Sequence, residues 1–272
     1  MDSFFALVNH AFDLLFRPFE SLQPLWALLA FSILTAVLMV LAFRYSSNQK
    51  EIRRAKDRIQ AYVLEVRLFQ DQLGVVLSAY PRILRGTAVY LRHSLRPLAV
   101  MLLPLALLLV QMEVRLGRRP IRPGESALVA ARFSQSEALE AATLSVPPGL
   151  TLTAPALRIP TEREIDWRIH SDQPGEYVVA VQVGDRTFPK QVVFSTRLVR
   201  TSALRPQQNW WDQLLNPGET PLPAEGVLEA IEVKYPPRAV SFGLFESHWL
   251  IPFFVISILA GYAMKGIFKT EF

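Results

Sequence analysis

Histidine and carboxylate side chains are the first candidates for chemistry in a new sequence, because they bind metals and transfer protons. The four histidines lie in four separate segments without metal-ligand spacing: His10, His93, His170 and His248. The carboxylates of Glu162, Glu164 and Asp166 follow one another at intervals of two, as on the solvated face of a strand. The absence of cysteine excludes thiol catalysis and thiolate metal sites. We therefore predict no enzymatic activity, no catalytic residue, no metal and no cofactor.

Polar groups at the edge of an apolar segment are a second kind of candidate, since such groups mark functional sites in membranes. Arg44 directly follows an apolar stretch, Ser32 and Thr35 lie within that stretch, and Ser47 comes just after it. Two interpretations of Arg44 stay open. It belongs to a functional site at the membrane boundary, or it only anchors a helix at the lipid head groups.

Three charge-free blocks decide which elements position these groups. The block 25–43 contains 19 residues without a charge, which is about the length that crosses ~30 Å of hydrocarbon. The shorter blocks 97–110 and 250–264 have a soluble core helix as their alternative. A cleaved signal peptide is the alternative for the first block, but the basic cluster follows the block instead of preceding it. We predict about three transmembrane helices, at 25–43, 97–112 and 249–266, in contact with a lipid bilayer.

Charge is distributed unevenly between these blocks. Residues 44–96 carry 11 Lys or Arg and 4 acidic residues, whereas residues 1–24 have a net charge of −2 and 113–247 are close to neutral, with 15 basic and 16 acidic groups. The positive-inside rule places 44–96 in the cytoplasm. The N-terminus and 113–247 are then outside, and the tail 267–272 is cytoplasmic. This arrangement favours a bacterial inner membrane and needs no specific nucleic-acid partner to explain the basic segment.

The basic segment 44–96 is predicted to form an antiparallel helical hairpin. Apolar residues from Ile52 to Tyr80 alternate in steps of three and four, which indicates one long helix. Pro81 is predicted to end that helix and begin the next, whose matching seam comprises Leu84, Ala88, Leu91 and Leu95. A solvated dimeric coiled coil is the alternative. Basic residues on the hairpin surface are candidates for contact with a partner: Lys50, Arg53, Arg54, Lys56 and Arg58.

Aromatic residues mark candidate membrane interfaces. Residues 1–23 are predicted to form an amphipathic interfacial helix that presents Phe5, Val8, Phe12, Leu15 and Phe19 to lipid. Trp249 opens the third apolar block at the level expected for an interfacial aromatic belt.

The segment 113–247 has the pattern of a β domain. Short β-rich runs separated by proline and glycine indicate strands at 126–133, 139–146, 164–170, 176–183 and 190–199. Gly184-Asp185 is predicted to form a tight hairpin turn. These features indicate an immunoglobulin-like β-sandwich, so the fold class is an α+β membrane protein. Residues 201–225 are predicted to be a loop in which Trp210 and Trp211 contact either the membrane surface or the sandwich core.

The order of these parts resembles the YidC/Oxa membrane-insertase superfamily, and most closely its minimal three-span branch, which includes archaeal YidC-like proteins and the insertase subunit of the endoplasmic-reticulum membrane complex. The stretches that carry the resemblance are AFRYSSNQKEIRRAKDRIQAYVLEVRLFQ (42–70) and RHSLRPLAVMLLPLALLLVQ (92–111). The similarity covers about half the chain and concerns the architecture rather than an invariant motif. The β domain after the second span departs from the family pattern.

The resemblance implies a function as an insertase or chaperone for membrane proteins. Family members open a polar groove in a thinned bilayer, and a positive charge there attracts acidic client residues. The matching position is Arg44, which lies nearer the inner boundary than the family's groove arginine. Client proteins and other membrane subunits are the implied partners. The alternative is a non-catalytic adaptor subunit of a larger envelope complex that binds a partner through its external β domain.

Overall fold

The computed structural model describes residues 2–46, 49–242 and 245–268. It confirms an α+β chain with antiparallel sheets. The chain forms two compact units. Unit 1 comprises Met1–Leu28 and Leu107–Pro252, and unit 2 comprises Leu29–Ala106 and Phe253–Phe272. The predicted tail 267–272 lies outside the described residues except for its first two positions, which end a helix.

Helices contain all three apolar blocks. Within the described residues, two stretches are long and apolar enough to cross a membrane, Pro24–Ser46 and Leu98–Gly117, whereas Leu250–Met264 is a shorter apolar helix. The first two predicted spans therefore have helices of suitable length, and the third has a shorter one. The helical segments are α1 (Asp2–Phe16), a 3-10 turn (Arg17–Phe19), α2 (Pro24–Ser46), α3 (Gln49–Leu68), α4 (Leu73–Met112) with a π-helical turn (Glu113–Gly117), α5 (Ala138–Ala141), α6 (Trp210–Leu215) and α7 (Leu250–Phe268).

Within unit 2, α3 and the first part of α4 form a hairpin whose turn differs from the predicted one. The chain reverses at 69–72, in the polar sequence around Asp71, so the prediction that the first helix continues to Tyr80 is wrong. Pro81 lies inside α4 instead of starting a helix. The two arms pack closely against each other. Arg82 donates to Glu65, and Gly86 lies so close to Ile59 that a Cβ at position 86 would be only 3.1 Å from Ile59 Cγ1.

The packed face of α3 includes a residue that was predicted to be buried, whereas the packed face predicted for α4 is wrong. Ala55 is buried on α3 as expected, and Ala79 is fully buried on α4. The predicted second seam is wrong, because Leu84, Leu91 and Leu95 are exposed and Ala88 is exposed with them. The seam prediction failed because it assigned Leu73, Val76 and Tyr80 to the first helix and thereby shifted the face assigned to the second.

The β domain of unit 1 contains antiparallel sheets. One sheet has the strand order β3-β5-β1-β9-β8, with β4 also paired to β5; a second has the order β2-β6-β7; and β10 pairs with β11. The strands are β1 (Ser126–Phe133), β2 (Ala142–Ser145), β3 (Thr151–Leu152), β4 (Leu157–Ile159), β5 (Glu164–His170), β6 (Gly175–Val183), β7 (Arg186–Phe194), β8 (Leu204–Pro206), β9 (Leu228–Val233), β10 (Val240–Phe242) and β11 (Phe245–Ser247).

The two larger sheets share one hydrophobic core. Trp167 of β5, Val181 of β6 and Phe194 of β7 are buried in the same cluster. Burial of alternate side chains explains why the period-2 pattern located these strands. The predicted tight turn is confirmed, since Val183 pairs with Arg186 and Gly184 adopts the positive φ of 58° that a two-residue hairpin requires.

Two predicted strands and one predicted loop differ clearly from the structure. The run 139–146 begins as the single helical turn α5 before it becomes β2, and β7 begins at Arg186 and ends at Phe194 instead of spanning 190–199. The stretch 201–225 was predicted to be a loop, but it contains β8 and α6. Asn209 starts α6 by accepting a hydrogen bond from the amide of Trp211, a cap that the sequence Asn-Trp-Trp-Asp permits. The immunoglobulin-like topology stays a prediction.

Candidate functional site

Helices α3 and α4 enclose a cationic cleft, hereafter the hairpin cleft. Its volume is about 450 Å³. Arg54 and Arg58 reach it from α3, four residues apart, and Arg82 and Arg85 reach it from α4, three residues apart. Both spacings place a pair on one helical face. The cleft residues are Glu51, Arg54, Ala55, Arg58, Tyr62, Arg82, Arg85, Gly86 and Val89.

Positive charge exceeds negative charge in the hairpin cleft. Arg54 pairs with Glu51 at 2.7 Å, and Arg82 pairs with Glu65 at 3.0 Å. The guanidinium of Arg82 also lies 5.3 Å from the ring centroid of Tyr62, within the range of a cation–π interaction. Over the ranges that the structure describes, neither Arg58 nor Arg85 forms an ion pair, so both remain available to an anionic group.

The predicted basic surface of the hairpin falls partly within this cleft. Arg54 and Arg58 line it, whereas Arg53 is exposed elsewhere on α3. Lys56 is half-buried, and Lys50 belongs to the first turn of α3. The α4 arginines of the cleft were missed because the helix boundary was placed at Pro81. Their spacing of three residues was the signal that could have found them.

The polar groups predicted for a groove in α2 do not come together with Arg44. Ser32 and Thr35 are buried, and Thr35 Oγ1 donates to the carbonyl of Phe31 at 2.6 Å. Arg44 is exposed in the last turn of α2. Nine residues separate it from Thr35, which turns its side chain to the opposite face by roughly 180°. Ser47 lies outside the described residues. A role for Arg44 in a client groove stays a prediction.

A polar contact between α2 and α7 involves one of these residues. Ser257 Oγ donates to the carbonyl oxygen of Ser32 at 3.2 Å. The Ser32 hydroxyl itself is buried and has no hydrogen-bond partner among the residues of the described ranges. A buried hydroxyl without a partner costs free energy, so the Ser32 hydroxyl is an unsatisfied polar group of α2.

A buried polar network in unit 1 was missed by the sequence analysis. Arg115 is fully buried and forms an ion pair with Asp13. It also donates to Gln111 Oε1 at 2.8 Å, and Gln111 donates to Asn9 Oδ1 at 2.8 Å. Arg200 lies 3.5 Å from Asp13. This network attaches α1 to the end of α4 and explains why polar side chains of α1 face the protein.

The aromatic residues predicted to lie at the membrane interface also have contacts within the protein. The guanidinium of Arg115 lies 6.0 Å from the Phe12 ring centroid and Phe12 is half-buried, so its contact with lipid stays a prediction. Phe19 is also half-buried.

Trp249 is buried and its Nε1 donates to Glu113 at 2.8 Å. Trp211 is exposed, and Trp210 begins α6. The exposed leucines of α1 are Leu15, which belongs to the set predicted to face lipid, and Leu7 and Leu14, which do not.

The carboxylates of β5 are buried rather than solvated. Glu164 and Asp166 are both almost inaccessible, and Lys234 bridges them at 3.3 and 3.2 Å. Arg132 lies 3.1 Å from Glu164. Partial burial acts to raise the pKa of Glu164, but hydrogen bonds from Arg132 and Lys234 outweigh it and hold that pKa below its usual value. The solvated-face prediction is confirmed for Glu162, which is exposed, but is wrong for Glu164 and Asp166, because Arg132 of β1 and Lys234, just after β9, cover them.

Stability of the β domain is expected to fall in acid. Because the pKa of Glu164 is lower in the folded chain than in the unfolded one, its contribution is complete above the unfolded value of about 4.3 and is lost as the pH falls through the folded value. Lys234→Met is expected to remove at most about 1 kcal/mol at pH 7 and to flatten this acid dependence. Urea unfolding at several pH values, followed by tryptophan fluorescence, measures both.

Arg168→Met is the matched control, since it removes one positive charge from an exposed position of β5, the strand that carries Glu164 and Asp166. An acid dependence that is identical in the Lys234→Met and Arg168→Met proteins would show that Lys234 does not set the ionisation of the pair.

Comparison with known proteins finds no match, so the evidence for function is the site geometry described above. No protein-family model matches the chain, and no curated protein matches it. No group of three or more His, Asp or Glu side chains suited to a metal ion occurs over 2–46, 49–242 and 245–268. What the fold and the site define is an α+β protein with two helices of membrane-spanning length and a cationic helical hairpin.

Proposed function

We propose that the chain is a membrane-protein insertase or chaperone of the YidC/Oxa type. The hairpin cleft is the observation that carries this proposal. Helix α4 supplies Arg82 and Arg85 to the cleft and continues without a break into an apolar stretch of spanning length. An acidic flank of a client is attracted to the unpaired arginines, and its apolar segment then enters the bilayer beside the same helix.

The proposal includes an orientation in a bacterial inner membrane. The strongly basic segment 44–96 faces the cytoplasm together with the C-terminus, and the N-terminus and the β domain lie outside. The polar groups Ser32 and Thr35 then lie at membrane depth. The apolar part of α7, Leu250–Met264, spans only ~22 Å at 1.5 Å per residue. A short helix of this kind is accommodated by local thinning of the bilayer, which shortens the path of a client tail.

The proposal is tested by insertion of a small single-span client with an acidic tail into proteoliposomes, scored by protease protection. Arg54→Gln/Arg58→Gln removes two cleft charges and is expected to reduce insertion at least fivefold, because the client flank loses its electrostatic attraction. The reduction is expected to shrink at high salt. Arg53→Gln/Arg67→Gln changes the same net charge on α3 at exposed positions and is expected to retain insertion.

The orientation is checked in the same vesicles. The natural chain has no cysteine, so single cysteines at Lys56 and at Asp172 report which side each segment faces. Labelling of both positions from one side contradicts the membrane arrangement. Normal insertion by the cleft variant together with a fixed stoichiometric partner in native membranes would instead favour the adaptor function.

A further inference from the structure

Helix α4 exposes an apolar stripe outside the hairpin cleft. Leu73 is 74% and Leu84 70% exposed, values that leave these side chains without cover from the rest of the chain. Spacings of three, four and seven place the stripe on one helical face. Ala79, which is fully buried, lies on the opposite side. The α4 stripe comprises Leu73, Leu77, Tyr80, Leu84, Leu91 and Leu95.

A row of cations borders the α4 stripe along one edge. Arg85 and Arg92 each follow a leucine of the stripe and are seven residues apart, so they share a helical face. Both are exposed. Residues 73–97 contain four arginines and no acidic residue. A binding partner that has apolar side chains flanked by acidic groups would therefore match both the apolar stripe and the arginines along its edge.

Lipid is not expected to cover the α4 stripe. The 40 residues of α4 extend for ~60 Å, twice the ~30 Å thickness of the hydrocarbon layer. When the apolar stretch Leu98–Gly117 spans the bilayer, the part of α4 that carries the stripe stands in water. This step uses the membrane placement made in the proposed function. The stripe therefore lies beyond the hydrocarbon layer, where lipid chains do not cover it.

Pairing of α4 with α4 of a second copy does not fit either. Pairing of two α4 helices through their stripes would bring the arginine rows near residues of 73–97, a range without an acidic side chain. Like charges opposite one another disfavour such a pair. The occupant must supply the acidic groups itself.

We infer that the α4 stripe binds an amphipathic helix of a cytoplasmic protein, with leucine-like residues at heptad spacing and acidic residues along the flanking edge. The apolar side chains give the contact its affinity. The pairing of acidic residues with Arg85 and Arg92 selects this partner over a basic or neutral amphipathic helix. The inference adds a protein-binding surface that adjoins the hairpin cleft: Arg85 borders both surfaces, whereas Arg92 and the apolar side chains of the stripe lie outside the cleft.

The test uses the full chain in lipid nanodiscs and a fluorescent synthetic peptide, about four heptads long with Leu at the core positions and Glu at the flanking positions. A second peptide has Lys in place of Glu. The acidic peptide is expected to bind at least tenfold more tightly than the basic one. Arg92→Glu and Leu84→Ser/Leu91→Ser are each expected to weaken its binding about tenfold or more. The matched controls Arg53→Glu and Val63→Ser/Leu64→Ser alter exposed positions of α3 and are expected to change binding less than threefold.

Equal binding of the two peptides, or equal weakening by the α4 variants and their controls, overturns the inference. A third measurement tests whether lipid covers the stripe, with an environment-sensitive fluorophore attached to Leu84→Cys in peptide-free nanodiscs that contain anionic lipid. We expect the fluorophore to report exposure to water. An apolar environment would mean that lipid covers the stripe. The insertion assay is independent of these peptides. Loss of insertion in the cleft variants therefore bears on the proposed function, whereas peptide preference bears on the α4 stripe.

Discussion

Glu219→Ala is expected to lower the free energy of unfolding of the β domain by about 3–5 kcal/mol. Lys190 of β7 is completely buried, and Glu219 is its carboxylate partner with only 10% of its side chain exposed. The same carboxylate accepts hydrogen bonds from Ser202 Oγ at 2.6 Å and from the Gln191 amide at 2.7 Å. Removing it leaves a buried ammonium without its counter-charge.

The charged form of Lys190 is unfavourable in this buried site without a counter-charge. Burial lowers the pKa of Lys190 below its ordinary value, although the charge of Glu219 acts in the opposite direction. Lys190 Nζ also donates to the carbonyl oxygen of Ser202 at 2.7 Å. The cluster thus joins β7 to the segment before β8 and to the turn after α6, three regions distant in sequence.

Urea unfolding of the full chain in detergent, followed by tryptophan fluorescence, measures this loss. The double variant Lys190→Met/Glu219→Gln removes both charges and is expected to be more stable than Glu219→Ala, because no buried charge remains unpaired. A Glu219→Ala protein that loses less than about 1 kcal/mol, the range of an exposed ion pair, would show that water reaches Lys190 and that the pair is not a structural contact of the fold.

Asp13→Ala is expected to release α1 from unit 1 and to cost about 2–3 kcal/mol, somewhat less than loss of a fully buried partner. The smaller value follows from exposure: the Asp13 side chain is 44% exposed while that of Arg115 is 2% exposed. Water therefore replaces part of the lost interaction. The guanidinium keeps its contacts to Gln111 but loses its only carboxylate within the described part of the chain.

Hydrogen–deuterium exchange measures the release directly. Amides of α1 are expected to exchange faster in Asp13→Ala, with an intermediate rate in Asp13→Asn, which keeps a neutral acceptor. Glu225→Ala removes one exposed acidic residue in a loop of the same unit and is expected to leave α1 protected. Unchanged α1 exchange in Asp13→Ala would mean that apolar packing, for instance of the buried Phe16, holds the helix without the ion pair.

Local pattern was sufficient for much of the fold. The runs 126–133 and 164–170 coincide with β1 and β5, because alternate side chains of these strands pack into one core and alternation is visible in the sequence. The Gly184-Asp185 turn was predictable because few residues tolerate the positive φ that it requires. The apolar block 25–43 lies within α2 because its length and lack of charge leave few alternatives to a helix.

The tertiary structure decided which polar side chains meet. Arg115 and Asp13 are 102 residues apart, and Lys190 and Glu219 are 29 apart, so no periodicity connects either pair. The hairpin cleft depended on where the chain turns, because a turn at 69–72 instead of Pro81 changes which face of α4 meets α3. Period and length are properties of a segment alone and can be read from it, whereas ion pairs and packed faces arise between segments and are fixed only when the chain folds.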